Sequence, residues 1–354
     1  MKKLLMGASA LAIAGFGGAA VAQEWSVRTG GFMTAGIGYV DNDAHLAEVE
    51  IVNNAEVIFN FTLVADNGIT FNGKVEFEAS GTSENADEYV ASAQGSFGRL
   101  EIGREDGVHD RLAGEAAGST AFTSSADGGG LLFDYASNEM PFSLDSEGRN
   151  SGDQLKITYF TPKFSGFQAG VSYSPGGAEG SGGTSSNGGA GGRGTSSGSE
   201  ILEVGAAYSN TFGGVGVDLG AGYSTFENYI TSADRDQSYS FMGALSFAGF
   251  KAGAQYGVTE YDTAGVDDVE GLGLGIEYAT GPWNFGIQYT VMLGGNGAEG
   301  FNEDDWGVGA GVDYALAPGV TVGGIFEYGE ADKAAFVGQD TEAWSVGVFS
   351  NFNF

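Results

Sequence analysis

Residues 283–293 read WNFGIQYTVML. Trp283, Phe285, Ile287, Tyr289, Val291 and Leu293 fall on one parity. Asn284, Gly286, Gln288 and Thr290 fall on the other. A period of two residues is the signature of a β-strand with two unlike faces. The stretch is about ten residues long, the length of a tilted membrane-spanning strand. Its apolar face carries aromatic rings toward the ends and aliphatic side chains between them. That distribution suits a lipid-facing surface bounded by two aromatic girdles.

The same alternation recurs along the chain. Val57, Phe59 and Phe61 alternate with Glu56, Asn60 and Thr62, and Phe71, Val75 and Phe77 with Asn72, Lys74, Glu76 and Glu78. Tyr239, Phe241, Leu245 and Phe247 alternate with serines, and Trp306, Val308, Ala310, Val312 and Tyr314 with glycines and Asp313. Sixteen such segments run at about 26–39, 49–64, 69–81, 88–95, 98–104, 154–160, 167–174, 200–209, 215–227, 237–247, 250–259, 269–279, 283–293, 306–314, 320–329 and 342–354. Short connections such as ADNG (65–68), GSFG (95–98), AG (248–249) and TGP (280–282) alternate with long ones at 82–87, 105–153, 175–199, 228–236, 260–268, 294–305 and 330–341. Every second turn therefore lies at the same end, and an even strand count puts both termini at the short-turn end.

Composition narrows the architecture. The 354 residues include 64 Gly, only 5 Pro and no Cys, and 12% are aromatic. Abundant Gly disfavours long helices, at about 1 kcal/mol per helical position. No stretch approaches the ~18 consecutive apolar residues of a transmembrane helix. A soluble β-sandwich would bury its apolar faces between two sheets. Here nearly every strand has an apolar face, and no segment remains to cover it. Lipid covers such a surface, and a closed barrel satisfies every backbone group within it. The expected fold is all-β, a sixteen-stranded antiparallel transmembrane barrel.

Two segments stand apart. The first is MKKLLMGASALAIAGFGGAAVA (1–22), where Lys2 and Lys3 precede a short apolar run and Ala20, Val21 and Ala22 supply small residues for cleavage. This is the pattern of a secretory signal peptide rather than an anchor. Removing 22 of 354 residues leaves a single domain, 23–354. The second is the Gly/Ser-rich stretch 174–199. Strands of one grammar flank it, so it is read as an outer loop and not a linker between domains.

Charge and motifs exclude several functions. The net charge is −32, which disfavours nucleic acid. His45 and His109 are the only histidines, and no positioned nucleophile accompanies them. GGAGGRGTS (188–196) lacks the Gly-Lys-Ser/Thr ending of a phosphate loop. The chain is therefore not read as an enzyme, and no cofactor is expected. Acidic clusters at Asp41/Asp43, Asp234/Asp236, Asp262/Asp267/Asp268 and Glu303/Asp304/Asp305 lack a full calcium-loop spacing. Solvated acid is one reading of them; loosely bound calcium at the outer loops is the other.

The chain ends SVGVFSNFNF, with Trp344, Val346, Val348, Phe352 and Phe354 on one parity. In a closed barrel this strand must pair with the first. A leader, sixteen alternating strands, a long third loop and a terminal Phe together resemble the general diffusion porins of the Gram-negative outer membrane, alphaproteobacterial type. GSFGRLEIGRED (95–106) is similar to that family's short turn, fifth strand and start of the third loop.

The resemblance implies a homotrimer in outer-membrane lipid, with Phe354 part of the signal read by the barrel assembly machinery. It also implies that loop 105–153 folds into the lumen and narrows it. Some of Glu105, Asp106, Asp110, Glu115, Asp127, Asp134 and Glu139 would then line an acidic constriction. Opposite them the family places basic residues. The candidates here are Arg28, Lys74 and Lys156 on the lumen parity, with Arg104 and Arg111 at or in the loop. The wall is poor in base and the loops are rich in acid, so a cation preference is expected. Passive diffusion of small hydrophilic solutes is the leading function. A substrate-selective channel, such as one for sugars, and a non-conducting adhesin or structural barrel are the alternatives.

Overall fold

The computed structural model describes residues 25–42, 46–79, 86, 88–114, 150–175, 198–228, 235–262, 264–296, 302–332 and 340–354. The expected leader lies outside them. The strands are β1 (Ser26–Asn42), β2 (Leu46–Val64), β3 (Thr70–Glu78), β4 (Tyr89–Gly95), β5 (Gly98–Arg104), β6 (Leu155–Phe160), β7 (Phe167–Ser174), β8 (Gly198–Phe212), β9 (Val215–Asn228), β10 (Arg235–Phe247), β11 (Phe250–Glu260), β12 (Val269–Thr280), β13 (Trp283–Gly294), β14 (Trp306–Ala317), β15 (Val320–Asp332) and β16 (Asp340–Asn353). One short helix, α1 (Val108–Ala113), follows β5.

Each expected segment holds one strand. The main difference is at the outer ends, where several ladders run past the apolar alternation. β15 and β16 pair as far as Asp332 and Asp340, and β1 and β2 as far as Asn42 and Leu46. Side-chain alternation reports the part of a strand that meets lipid. The backbone ladder continues into water, where hydrogen bonding needs no apolar face.

The sixteen strands form a closed antiparallel barrel in which every strand pairs with its neighbours in sequence, and β1 pairs with β16. Closure removes both sheet edges. At the seam, Gly31 and Phe354 exchange reciprocal backbone hydrogen bonds of 3.1 Å, so the last residue belongs to the ladder. Val348 and Phe352 face outward, as does the ring of Phe354. Phe349 has the other parity and is buried inside, flat against Gly36. A Cβ on Gly36 would lie 2.0 Å from the Phe349 ring.

The outer face carries the large exposed hydrophobics, including Leu245, Phe247, Phe250, Ile276 and Ile287. At the short-turn end Phe250 stacks on Tyr278 at 4.3 Å and Trp283 meets Tyr314 at 4.6 Å. At the long-loop end Tyr289, Trp306 and Tyr328 form a row with centroid separations of 6.0 and 5.4 Å, and Tyr39 meets Trp344 at 5.3 Å. These rows are the two girdles implied by the alternation. The β10–β11 turn shows how tightly the short end is drawn: Ala248 and Gly249 both have positive φ (51° and 88°), the requirement of a two-residue hairpin that follows the strand twist.

Candidate functional site

The polar parity faces the interior, and its side chains converge where β5 runs into the long connection. Gly107 precedes α1 and Gly114 ends it with φ 76°. The helix is only six residues long, too short to be stable alone. Packing on the inner wall holds it, on β7, β8, β9 and β10. That wall is cut to receive it. A Cβ on Gly205 would lie 2.3 Å from the Val108 carbonyl oxygen, one on Gly220 1.8 Å from that of Ala113, and one on Gly222 2.0 Å from the His109 ring. Val108 and Leu112 pack on Phe160, an inward-facing ring that is fully buried. His109 is also fully buried, with Nδ1 3.1 Å from Ser224 Oγ and Nε2 2.8 Å from Ser240 Oγ.

Three charge groups surround this helix. In the first, the Lys74 ammonium reaches Glu76 at 2.8 Å and both Glu88 and Glu105 at 2.6 Å. In the second, Glu101 accepts from Arg99 Nε at 3.0 Å and from Arg111 Nη1 at 2.7 Å. Both guanidinium carbons sit 4.7 Å from the Phe160 centroid, a distance at which the ring face attracts a cation. In the third, Lys156 and Glu203 are buried where the two limbs of the connection meet the wall. Asp106 lies beside Glu88 and Glu105. Among the described residues these three alone bring potential metal-ligand atoms within 4.8 Å of one another. Burial, then the Glu88 charge, push the Asp106 carboxyl above the ordinary carboxylate range. The Lys74 ammonium already holds Glu88 and Glu105.

The residues singled out from sequence are thus distributed unevenly. Glu105, Asp106, Lys74 and Arg111 come together beside α1. Asp110 lies in its first turn. Glu115, Asp127, Asp134 and Glu139 fall outside the described residues. Arg28 is exposed on β1, in the same cross-strand row as Lys74 with Asn60 between them. Lys74 does not stand opposite the acids but is enclosed by three of them. Arg104 pairs in register with Tyr89 and Leu155, both outward-facing, and its guanidinium lies 5.9 Å from the Tyr89 ring. Register therefore puts Arg104 on the outer parity, yet the residue is buried, and its Nε donates to the Asp153 carbonyl. Lys156 is buried.

Sequence reasoning passed over Arg99, Glu101, Glu203, His109 and the glycine track. Parity along β5 and β8 marks Arg99, Glu101 and Glu203 as inward. Nothing in the local sequence tells an inward glycine that receives a helix from one that faces water.

A closed sixteen-strand barrel, lipid-facing outside and polar inside, with a helix from its longest loop docked on the inner wall, agrees with the family comparison. The model of the Gram-negative porin family matches residues 8–334. The chain belongs to the Gram-negative porin family. Solved structures of similar fold include a loop-deletion mutant of OmpT from Vibrio cholerae (TM-score 0.62, 16% identity, covering 93% of this chain and 99% of that one). A multiple mutant of the Rh. blastica porin gives a TM-score of 0.60 at 17% identity, covering 93% and 100%. In vitro folded OmpT of Vibrio cholerae in trimer form gives 0.61 at 14%, covering 93% and 99%. No curated protein matches the chain. This porin is accordingly a channel-forming barrel of the outer membrane.

Proposed function

We propose that this porin is a water-filled channel for passive diffusion of small hydrophilic solutes and ions, with a preference for cations. The observation that carries the preference is the charge balance beside α1. Glu76, Glu88, Glu101, Glu105 and Asp106 are five carboxylates against three cations, Lys74, Arg99 and Arg111. Each of those cations is already engaged by acid. Rings of side-chain charge set ion selectivity in narrow pores, and a residual negative charge favours cations. Loop 105–153 narrows the lumen in this reading, which the docking of α1 on the inner wall supports. The net charge of −32 acts in the same direction at long range.

The test is the reversal potential of the refolded mature chain in a planar bilayer under a potassium chloride gradient. A potential of the sign set by potassium supports the reading, and one near zero or of chloride sign refutes the preference. Loss of all conductance from a folded barrel refutes the channel itself.

Three companion proposals concern assembly. The mature chain begins after a leader at 1–22. It assembles as a homotrimer, which the trimeric form of the OmpT structure supports and which migration before and after heating would check. Phe354 is the terminal recognition residue for the barrel assembly machinery, a role suited to a side chain that projects outward from the closing seam.

A further inference from the structure

The long loop leaves β5 and returns to β6 through a neck in which two limbs, 105–108 and 150–154, lie side by side against the wall. Two buried, oppositely charged side chains of the wall tie the limbs together, Lys156 directly and Glu203 partly through Ser172. The Lys156 ammonium of β6 donates to the Glu105 carbonyl on the outgoing limb and to the Gly152 carbonyl on the returning limb. The Glu203 carboxylate of β8 accepts from the Ser151 backbone N–H on the returning limb at 2.6 Å. Its other oxygen accepts from Ser172 Oγ at 2.6 Å, and Ser172 Oγ in turn accepts from the Val108 N–H at 3.1 Å, which is the start of α1 on the outgoing limb.

The chain passes so close over Glu203 that a Cβ on Gly107 would lie 1.6 Å from the carboxylate oxygen. Glu203 is 1% exposed and Lys156 3%. Buried charges persist only when paired and hydrogen-bonded. Each of these two is hydrogen-bonded, and the Lys156 bonds and the Ser151 bond of Glu203 go to the backbone of the loop.

We infer that Lys156 and Glu203 are positioning residues that clamp the neck of the loop, and that the steadiness of the open pore depends on them. This rests on the channel reading given above, in which the loop narrows the lumen. Lys156 then serves the pore through the loop backbone and not as a charge met by passing ions. Removing either side chain leaves the buried loop groups it holds without their partner. The loop answers by leaving the wall, since the barrel ladder itself is closed without it.

The test uses the full mature chain refolded in detergent and then placed in bilayers. Lys156→Met and Glu203→Gln are compared with wild type for heat-modifiable migration, single-channel current and trypsin cleavage after Arg111 or Arg149. Gly107→Ala is a third variant. It disturbs the same clamp from the loop side and leaves the wall unchanged, so the inference stays testable if a wall variant does not fold. The expected result is a folded barrel with several-fold greater open-channel current noise, closure at lower voltage and faster cleavage in the loop. Quiet channels with wild-type closing voltage and wild-type cleavage in the folded variants would overturn the clamp. If wild type itself does not conduct, the channel reading fails, and the cleavage rates alone still decide whether Lys156 and Glu203 hold the loop.

Discussion

Lys74 shows how much a single residue's partners alter its meaning. By parity it is a lumen cation, and in the fold three carboxylates enclose it. Lys74→Met therefore removes a neutralising charge rather than an anion-attracting one. The expected outcome is a larger cation-to-anion permeability ratio, seen as a reversal potential shifted further toward the potassium value. Asp106 adds a pH dependence. Its raised carboxyl pKa means that the folded protein favours the protonated form. The stabilising effect is complete below the ordinary carboxylate range and is lost as pH rises through the raised value. Ionisation over that interval adds negative charge beside α1. Cation preference should begin to fall on acidification at a higher pH in wild type than in Asp106→Asn, as reversal potentials across a pH series would show.

At the scale of the element, α1 has six residues and no stability of its own, so the wall that receives it decides its place. The glycines at 205, 220 and 222 leave room for helix backbone and for His109. Gly220→Val drives a side chain into the Ala113 carbonyl. Valine favours the strand conformation, so the barrel should still fold and keep its heat-modifiable migration, while single-channel conductance changes and fluctuates. Unaltered current would mean that α1 does not shape the pore. The strands themselves were legible in the sequence because a lipid-facing side chain must be apolar at every second position. WNFGIQYTVML carries that rule without interruption. The outer ends were less legible: Asp332 pairs with Asp340 in water, where no apolar face is demanded.

For the whole molecule, lipid is the solvent of the outer face and the hydrogen-bonded wall is the core. Ile287 lies on that face near the middle of β13 and is half exposed. Ile287→Lys should destabilise the folded barrel by about 2–4 kcal/mol, the cost of a cation near the bilayer midplane. Equilibrium unfolding in lipid vesicles would measure it, and a difference within error of zero would remove β13 from the membrane. Deleting Phe354 takes away two backbone hydrogen bonds to Gly31 at the closing seam. The fraction reaching the heat-modifiable barrel should fall, with little effect on conductance once the barrel has closed.

The amino-acid order by itself determined strand number, strand parity, the short and long ends and the membrane as solvent. All of these follow from a local rule: a side chain facing lipid pays a penalty if polar, so two-residue periodicity is written residue by residue. The charge of the interior was legible as a surplus of acid, but not its arrangement. Only the tertiary structure decided that Lys74 is enclosed by acids, that Arg104 falls on the outer parity yet is buried against the returning limb, that Lys156 and Glu203 both hold the neck of the loop, and that Gly205, Gly220 and Gly222 receive a helix. Each depends on which strands lie side by side once the barrel closes and on where a helix more than 90 residues upstream of those glycines comes to rest. Inward positions are water-facing in one place and helix-facing in another, and no periodicity along the chain distinguishes them.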